Sequence, residues 1–340
     1  MEKDHLTTSA PRLEDRTLDA ALRPKRLADF LGQQTIRQNL TIFLTAAKQR
    51  KEPIEHVLLH GAPGLGKTTL AHVIANELEV NIRVTSGPAL ERAGDLASIL
   101  TNLADGDILF IDEIHRLNRI VEEMLYPAME DFGLDIVLGK GPGARTVRLD
   151  LPHFTIIGAT TRLSLMTSPL RSRFGAIYQL EFYSDVELTE ILRRNAVLLG
   201  IKVDKHALAR IASRSRRTPR VANRLLKRVR DYAQVQKEAL INEDLADAAL
   251  ELMAIDSHGL DAQDRRLLTT IIEKFSGGPV GLTTLAAATG EEPETIESVY
   301  EPFLLQIGFL ARTTRGRVVT EHGYRHLGVA APTTQSSLSV

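Results

Sequence analysis

The sequence predicts an α/β fold: a parallel-sheet domain, then a small helical domain, then a C-terminal winged-helix domain. Three observations predict it. Short apolar runs alternate with amphipathic helical stretches between residues 35 and 181, the rhythm of a parallel sheet covered on both faces. After Tyr183 that rhythm gives way to helical spacing alone. Beyond Ser257, three helical stretches precede two short β runs around Thr313-Thr314-Arg315-Gly316, the element order of a winged helix.

In chain order, Met1 to Arg16 is polar and is expected to be a loose arm. A helix is expected from about Thr35 to Gln49, and strands at 56–60, 81–85, 107–111, 154–159 and 176–181. The first strand runs into Gly61-Ala62-Pro63-Gly64-Leu65-Gly66-Lys67-Thr68-Thr69, and a helix with Leu70, Val73, Ile74 and Leu78 on one face follows. Strand, glycine loop and helix in that order turn G-x-x-x-x-G-K-[ST] from a string match into a nucleotide site. Gly64 and Gly66 let backbone N–H groups approach phosphate oxygens, and the helix N-terminus adds the positive end of its dipole. Lys67 is expected to reach the β- and γ-phosphates, and the Thr68 hydroxyl to ligate Mg²⁺. ATP and Mg²⁺ are therefore the expected ligands.

Ile108-Leu109-Phe110-Ile111-Asp112-Glu113 puts two carboxylates at the tip of a buried strand. Below a phosphate loop, Asp112 is expected to hold Mg²⁺ through water and Glu113 to polarise the attacking water. Ile156 to Arg162 ends another strand with Thr160 and Thr161 at its tip, and either hydroxyl can serve the γ-phosphate or the water. Between these strands, two alternating runs flank Gly139-Lys140-Gly141-Pro142-Gly143, which makes Phe132 to Leu151 a β-hairpin. It either projects as a partner surface or folds back on its own sheet. Arg171 and Arg173 follow Pro169 at the surface.

Domain boundaries are expected at 1–183, 184–256 and 257–330, with a Ser/Thr-rich tail over 331–340. Residues 202–237 hold twelve Lys or Arg against two acids. Such a stretch suits either a DNA-facing surface or a lid over triphosphate, with Arg220 delivered at a helix start by Thr218-Pro219. In the third module the last helix is acidic (Glu294, Glu297, Glu301), whereas Arg312, Arg315 and Arg317 cluster on the wing. The wing is thus the expected phosphate contact, without base reading.

Composition excludes several classes. There is no cysteine, so neither disulfides nor thiolate metal sites exist, and a cytoplasmic setting is expected. A net charge of −1 gives no whole-molecule attraction to nucleic acid. Five per cent aromatics and no Trp argue against a base-stacking platform.

Leu22-Arg23-Pro24, the phosphate loop, Asp112 to Leu117, Gly158 to Arg162, Thr218 to Leu226 and the final winged helix together resemble the RuvB family of AAA+ ATPases. The resemblance runs from about Leu22 to Gly328. It implies hexameric rings on duplex DNA that drive Holliday-junction branch migration in recombination and repair. It also implies a RuvA-like junction-binding protein docked on the 132–151 hairpin and a RuvC-like resolvase in the larger complex. Leu22, Arg23 and Tyr183 would line base and ribose; Gly64, Lys67, Thr68 and Thr69 would hold phosphates and Mg²⁺. Glu130, Asp131 and Phe132 would sit at the nucleotide site too. Thr161, with Thr160 as the alternative, would be the sensor, Arg173 the finger acting in trans, and Arg220 the lid sensor. A clamp loader would carry a helical collar instead of a wing. An ATP-regulated transcription factor is disfavoured by the acidic third helix, and a non-hydrolysing scaffold by the presence of Lys67, Asp112, Glu113 and Arg173 together.

Overall fold

A computed structural model describes residues 21–138 and 145–331, with the side chains of 136–146 also outside the description. The expected N-terminal arm, the Gly139–Gly143 turn and the tail beyond Ala331 therefore lie outside the described residues. The chain divides into two compact units, one ending at Phe182 and one beginning at Tyr183. Among the described residues no helix is long and apolar enough to cross a membrane.

The first unit is built on a five-stranded sheet. Its strands are β1 (Val57–His60), β2 (Ile82–Ser86), β3 (Ile108–Asp112), β6 (Thr155–Thr160) and β7 (Ala176–Gln179). The order is β2-β3-β6-β1-β7 and every pairing is parallel. The apolar runs of β1, β3 and β6 are buried on both faces, as central parallel strands must be. Edge strands β2 and β7 leave Val84 and Ile177 exposed. Helix Lys67–Leu78 buries Leu70, Val73 and Ile74, the apolar stripe read from the sequence. Hairpin strands β4 (Gly133–Leu138) and β5 (Arg145–Asp150) form a separate two-stranded sheet. Its base belongs to the core, because Leu134 is buried there and Phe132 and Leu149 pack against the same cluster.

The second unit starts with helix Asp185–Leu198, whose capping box reciprocates Ser184 and Glu187. Helices Lys205–Ser213, Pro219–Val235 and Glu243–Leu252 complete the helical lid, and the two-residue strands β8 (Lys202–Val203) and β9 (Leu240–Ile241) tie it together. Helix Pro219–Val235 buries Val221, Leu225, Leu226 and Val229, while Thr218 caps its start. Helices Ala262–Phe275 and Leu282–Thr289 then lead to the wing, strands β10 (Leu310–Thr313) and β11 (Gly316–Val319). The third helix of this module differs from the uninterrupted run expected over 294–306. It contains a π-helical segment, Ile296–Tyr300, before helix Glu301–Gln306. Pro302 has no N–H to donate to the preceding turn, and that lost bond accounts for the change of helical pitch beside it.

Candidate functional site

Sheet order assembles the site. β6 lies between β1, which feeds the glycine loop, and β3, which carries the acids. His60 pairs with Thr160 and Ile111 with Gly158, so all three strand tips end at one edge of the sheet. That edge is where ligands bind in open α/β folds.

At the β1 tip, Gly66 is left-handed (φ 101°) and is the N-cap of helix Lys67–Leu78 without any side-chain cap. The first turn thus presents backbone N–H groups and the positive dipole end toward the loop. Lys67 is only 7% exposed, and its Nζ donates to the carbonyls of Gly61 (2.8 Å) and Ala62 (3.0 Å). Thr68 and Thr69 open the helix beside it. His60, at the end of β1, has its pKa lowered by burial and by Lys67. His72 is lowered by burial and by Arg23, which places a second cation, that of the Leu22-Arg23-Pro24 segment, beside this helix.

At the β3 tip, Asp112 is the last strand residue and its Oδ1 accepts the Glu113 N–H at 3.0 Å. Glu113 is left-handed (φ 48°), which turns its side chain out of the strand direction. Gly87 permits that turn: a Cβ there would stand 2.4 Å from the Glu113 carbonyl oxygen. Glu113 Oε2 accepts from Thr161 Oγ1 at 3.1 Å and lies 3.3 Å from His115 Nδ1. Thr160 is fully buried; its Oγ1 accepts the Arg162 N–H and contacts His115 Nδ1 at 2.9 Å. Of the two sensor candidates, Thr161 touches the acid directly, and Thr160 reaches it through His115. The part played by His115 went unread in the sequence, although it lies two residues past Glu113.

Arg173 follows the short helix Ser168–Arg171. Its guanidinium stacks 4.2 Å from the Tyr126 ring centroid, donates to the Pro169 carbonyl at 2.7 Å, and pairs with Glu130 at 3.1 Å. Tyr126 is in turn fixed by its hydroxyl on Glu122 at 2.7 Å. Asp131 pairs with Arg148 at 3.2 Å, and the Phe132 ring packs on His153, with centroids 4.3 Å apart. Leu22 is buried in the first unit.

Tyr183 and Arg220 belong to the second unit. Tyr183 is buried; its N–H donates to the Arg217 carbonyl and its carbonyl accepts from Arg217 Nε, while Arg220 is exposed in the first turn of its helix. Much of the basic stretch is neutralised locally. Arg210 and Arg214 pair with Asp247, Arg210 also with Glu243, and Arg228 and Arg230 with Asp231. Its surface is therefore less cationic than its composition.

On the wing, Arg312 and Arg315 are exposed, with Arg312 3.4 Å from Glu297. Arg317 departs from the expectation of a phosphate contact. It is 6% exposed, and both Nε and an Nη donate to Glu301 Oε2 (3.2 and 2.8 Å), itself on a residue 2% exposed. Glu297 and Glu301 of the third helix thus face Arg312 and Arg317 of the wing.

Comparison with known proteins covers the whole described chain. Residues 22–180 match the Holliday junction DNA helicase RuvB P-loop domain, 183–256 the RuvB AAA lid domain, and 257–328 the RuvB C-terminal winged helix domain. The Holliday junction branch migration complex subunit RuvB of Dehalococcoides mccartyi (strain CBDB1) is 59% identical over 328 residues, 96% of this chain and 94% of that one. The solved Thermotoga maritima RuvB Holliday junction branch migration motor superposes with a TM-score of 0.85 at 54% identity, covering 92% of this chain and all of that one. A single-substitution mutant of the same Thermotoga protein gives 0.86 at the same identity. With three consecutive domains matched in order and more than half of all positions shared, this chain belongs to the RuvB family.

Proposed function

We propose that this chain hydrolyses ATP to drive Holliday-junction branch migration, as the motor subunit of a ring whose sites are completed between identical copies. The observation that carries the hydrolytic reading is the strand order, which sets Thr161 one strand and Glu113 two strands away from the loop-bearing strand, with the two side chains in contact. The triphosphate lies along the N–H groups of Gly64 to Thr69, with Lys67 on its β- and γ-phosphates. A hydroxyl beside an acidic strand tip suits a hard, oxygen-seeking cation, so Thr68, and Asp112 through water, would hold Mg²⁺, which neutralises phosphate charge when bound. Glu113 polarises the attacking water, and Thr161 fixes the carboxylate that does so.

Leu22, Arg23 and Tyr183 take base and ribose, Arg220 senses the γ-phosphate from the lid, and Glu130, Asp131 and Phe132 sit at a nucleotide site too. Arg173 acts on a neighbour's triphosphate, held ready by Tyr126 and Glu130. Lid closure about Tyr183-Ser184-Asp185 moves the winged module along the duplex, where Arg312 and Arg315 meet phosphates without reading bases. The assembly is a homohexamer in the cytoplasm. A RuvA-like protein docks on the 132–151 hairpin, and a RuvC-like resolvase joins the larger complex.

The test is dissociation of a synthetic four-way junction, with and without a RuvA-like protein. Dissociation should require ATP and be strongest with the partner; an intact junction under every condition overturns the reading. Mixing Arg173→Ala with Lys67→Ala subunits tests the shared site. Neither variant should hydrolyse ATP alone, and the mixture should recover part of the activity at mixed interfaces.

A further inference from the structure

The loop between helices Lys205–Ser213 and Pro219–Val235 contains two consecutive non-glycine residues in the left-handed region, Arg216 (φ 51°) and Arg217 (φ 54°). Such a pair persists only where its surroundings over-determine it. Here the two side chains are held in different places. Arg216 is 4% exposed; it donates to Asp264 Oδ1 at 2.6 Å and lies 4.9 Å from the Phe303 ring centroid. Both partners belong to the winged-helix module, and Asp264 is fully buried. Arg217 instead donates from Nε to the Tyr183 carbonyl at 3.1 Å, and its own carbonyl accepts the Tyr183 N–H at 3.0 Å. The next residue, Thr218, caps the helix that carries Arg220. A second contact closes the joint from the other side. Gly259, in the segment leading to helix Ala262–Phe275, is left-handed, and a Cβ there would stand 2.5 Å from the Arg214 carbonyl oxygen. Residues 214–218 thus touch the Tyr183 segment, the start of the sensor helix, and Gly259, Asp264 and Phe303 of the winged-helix module.

We propose that this loop is the coupling element of the motor and Arg216 its positioning residue, carrying the state of Tyr183 and Arg220 into the winged-helix domain. The proposal rests on the motor reading above. A buried ion pair is by itself weak evidence for anything beyond stability. The coupling role stands on the loop's bridging position, which ties the two nucleotide-facing residues to the DNA-facing module in consecutive residues.

The experiment compares the full-length wild type with Arg216→Ala, with the charge-neutral pair Arg216→Gln/Asp264→Asn, and with Gly259→Ala. Two readouts are taken on each: junction dissociated per ATP hydrolysed, and ATP-dependent change in amide hydrogen exchange over helix Ala262–Phe275. Arg216→Ala should keep basal ATP hydrolysis, lose about tenfold in junction dissociated per ATP, and lose the exchange response. Gly259→Ala should move both readouts the same way. The neutral pair, which keeps a hydrogen bond without a buried lone charge, should retain a fold and a partial response, so that loss of folding in Arg216→Ala leaves the question decidable. Unchanged dissociation per ATP with an unchanged exchange response overturns the proposal, as does a parallel fall of basal hydrolysis and dissociation. A wild type that responds in exchange but never dissociates a junction defeats the motor reading and leaves the coupling intact.

Discussion

Lys67 and Arg317 are both buried cations, yet the groups they rest on differ. Lys67 rests on the Gly61 and Ala62 carbonyls, dipoles that a phosphate oxygen can replace with a full charge. Arg317 rests on Glu301, a full charge at 2.8 Å that is itself withdrawn from solvent. The acids differ likewise: the Glu113 side chain keeps 34% of its surface exposed, whereas the whole of Glu301 keeps 2%. A cation resting on loop carbonyls, in a sheet that also carries an accessible acid two strands away, suits a ligand that spans both. A cation locked to a buried acid holds two elements of a fold together.

The largest test of that contrast is Glu113→Gln. It should cut ATP turnover by about 10²–10⁴-fold while ATP affinity and melting temperature hold, since on the proposed reading it removes the charge that polarises water and no packing. Turnover near wild type would erase the distinction between the two acids. Arg317→Ala should show the reverse pattern: ATP affinity unchanged in calorimetry and the second unit destabilised by about 3 kcal/mol in urea unfolding, because Glu301 is left buried with only the longer Arg312 contact at 3.8 Å.

Acid–base behaviour should separate the two units as well. Burial pushes the Asp264 carboxyl up to about 7, against the opposing pull of Arg216. Between its ordinary range near 4 and pH 7, the folded second unit holds a proton that the unfolded chain has released, so this group's contribution to stability is greatest below about pH 4 and falls as pH rises to 7. Asp264→Asn should flatten that fall, by on the order of 1 kcal/mol per pH unit. His56 in the first unit has the opposite sign. Burial lowers its pKa while its ring bridges the Met129 carbonyl and the Ile156 N–H, so its stability contribution is present above 6.5 and lost as pH falls. The smallest effect belongs to the exposed wing. Arg315→Ala should weaken binding evenly across duplex sequences and reduce the salt slope by about 0.9 for one lost phosphate contact.

The same contrast explains what was legible in the sequence. The phosphate loop, the Asp112-Glu113 tip and the Thr160-Thr161 tip are contiguous runs; strand–loop–helix context reads the loop and the acids follow from it, whereas pattern alone leaves the threonines open. Lid and wing were legible from periodicity and turn residues. What escaped were partners distant in sequence. Glu301 lies sixteen residues before Arg317, Asp264 forty-eight after Arg216, and Tyr126 forty-seven before Arg173. No local pattern signals these pairings, so the charge of 202–237 not needed by the lid is expected on subunit or DNA-facing surfaces, although Arg214 and Arg216 are matched to Asp247 and Asp264. The π-helical segment was missed for a different reason: Pro302 was in plain view, but a single lost N–H is a weaker cue than the apolar spacing around it.

The position of β6 has one more consequence. With a strand lying between the loop-bearing and the acid-bearing strands, the two ends of the pocket stand two inter-strand spacings apart, on the order of 10 Å. On the proposed reading the sheet is a measuring stick for its own fuel: the γ-phosphoryl group is the part that spans from the glycine loop toward Glu113, and a nucleotide without it would leave the water there with nothing to attack.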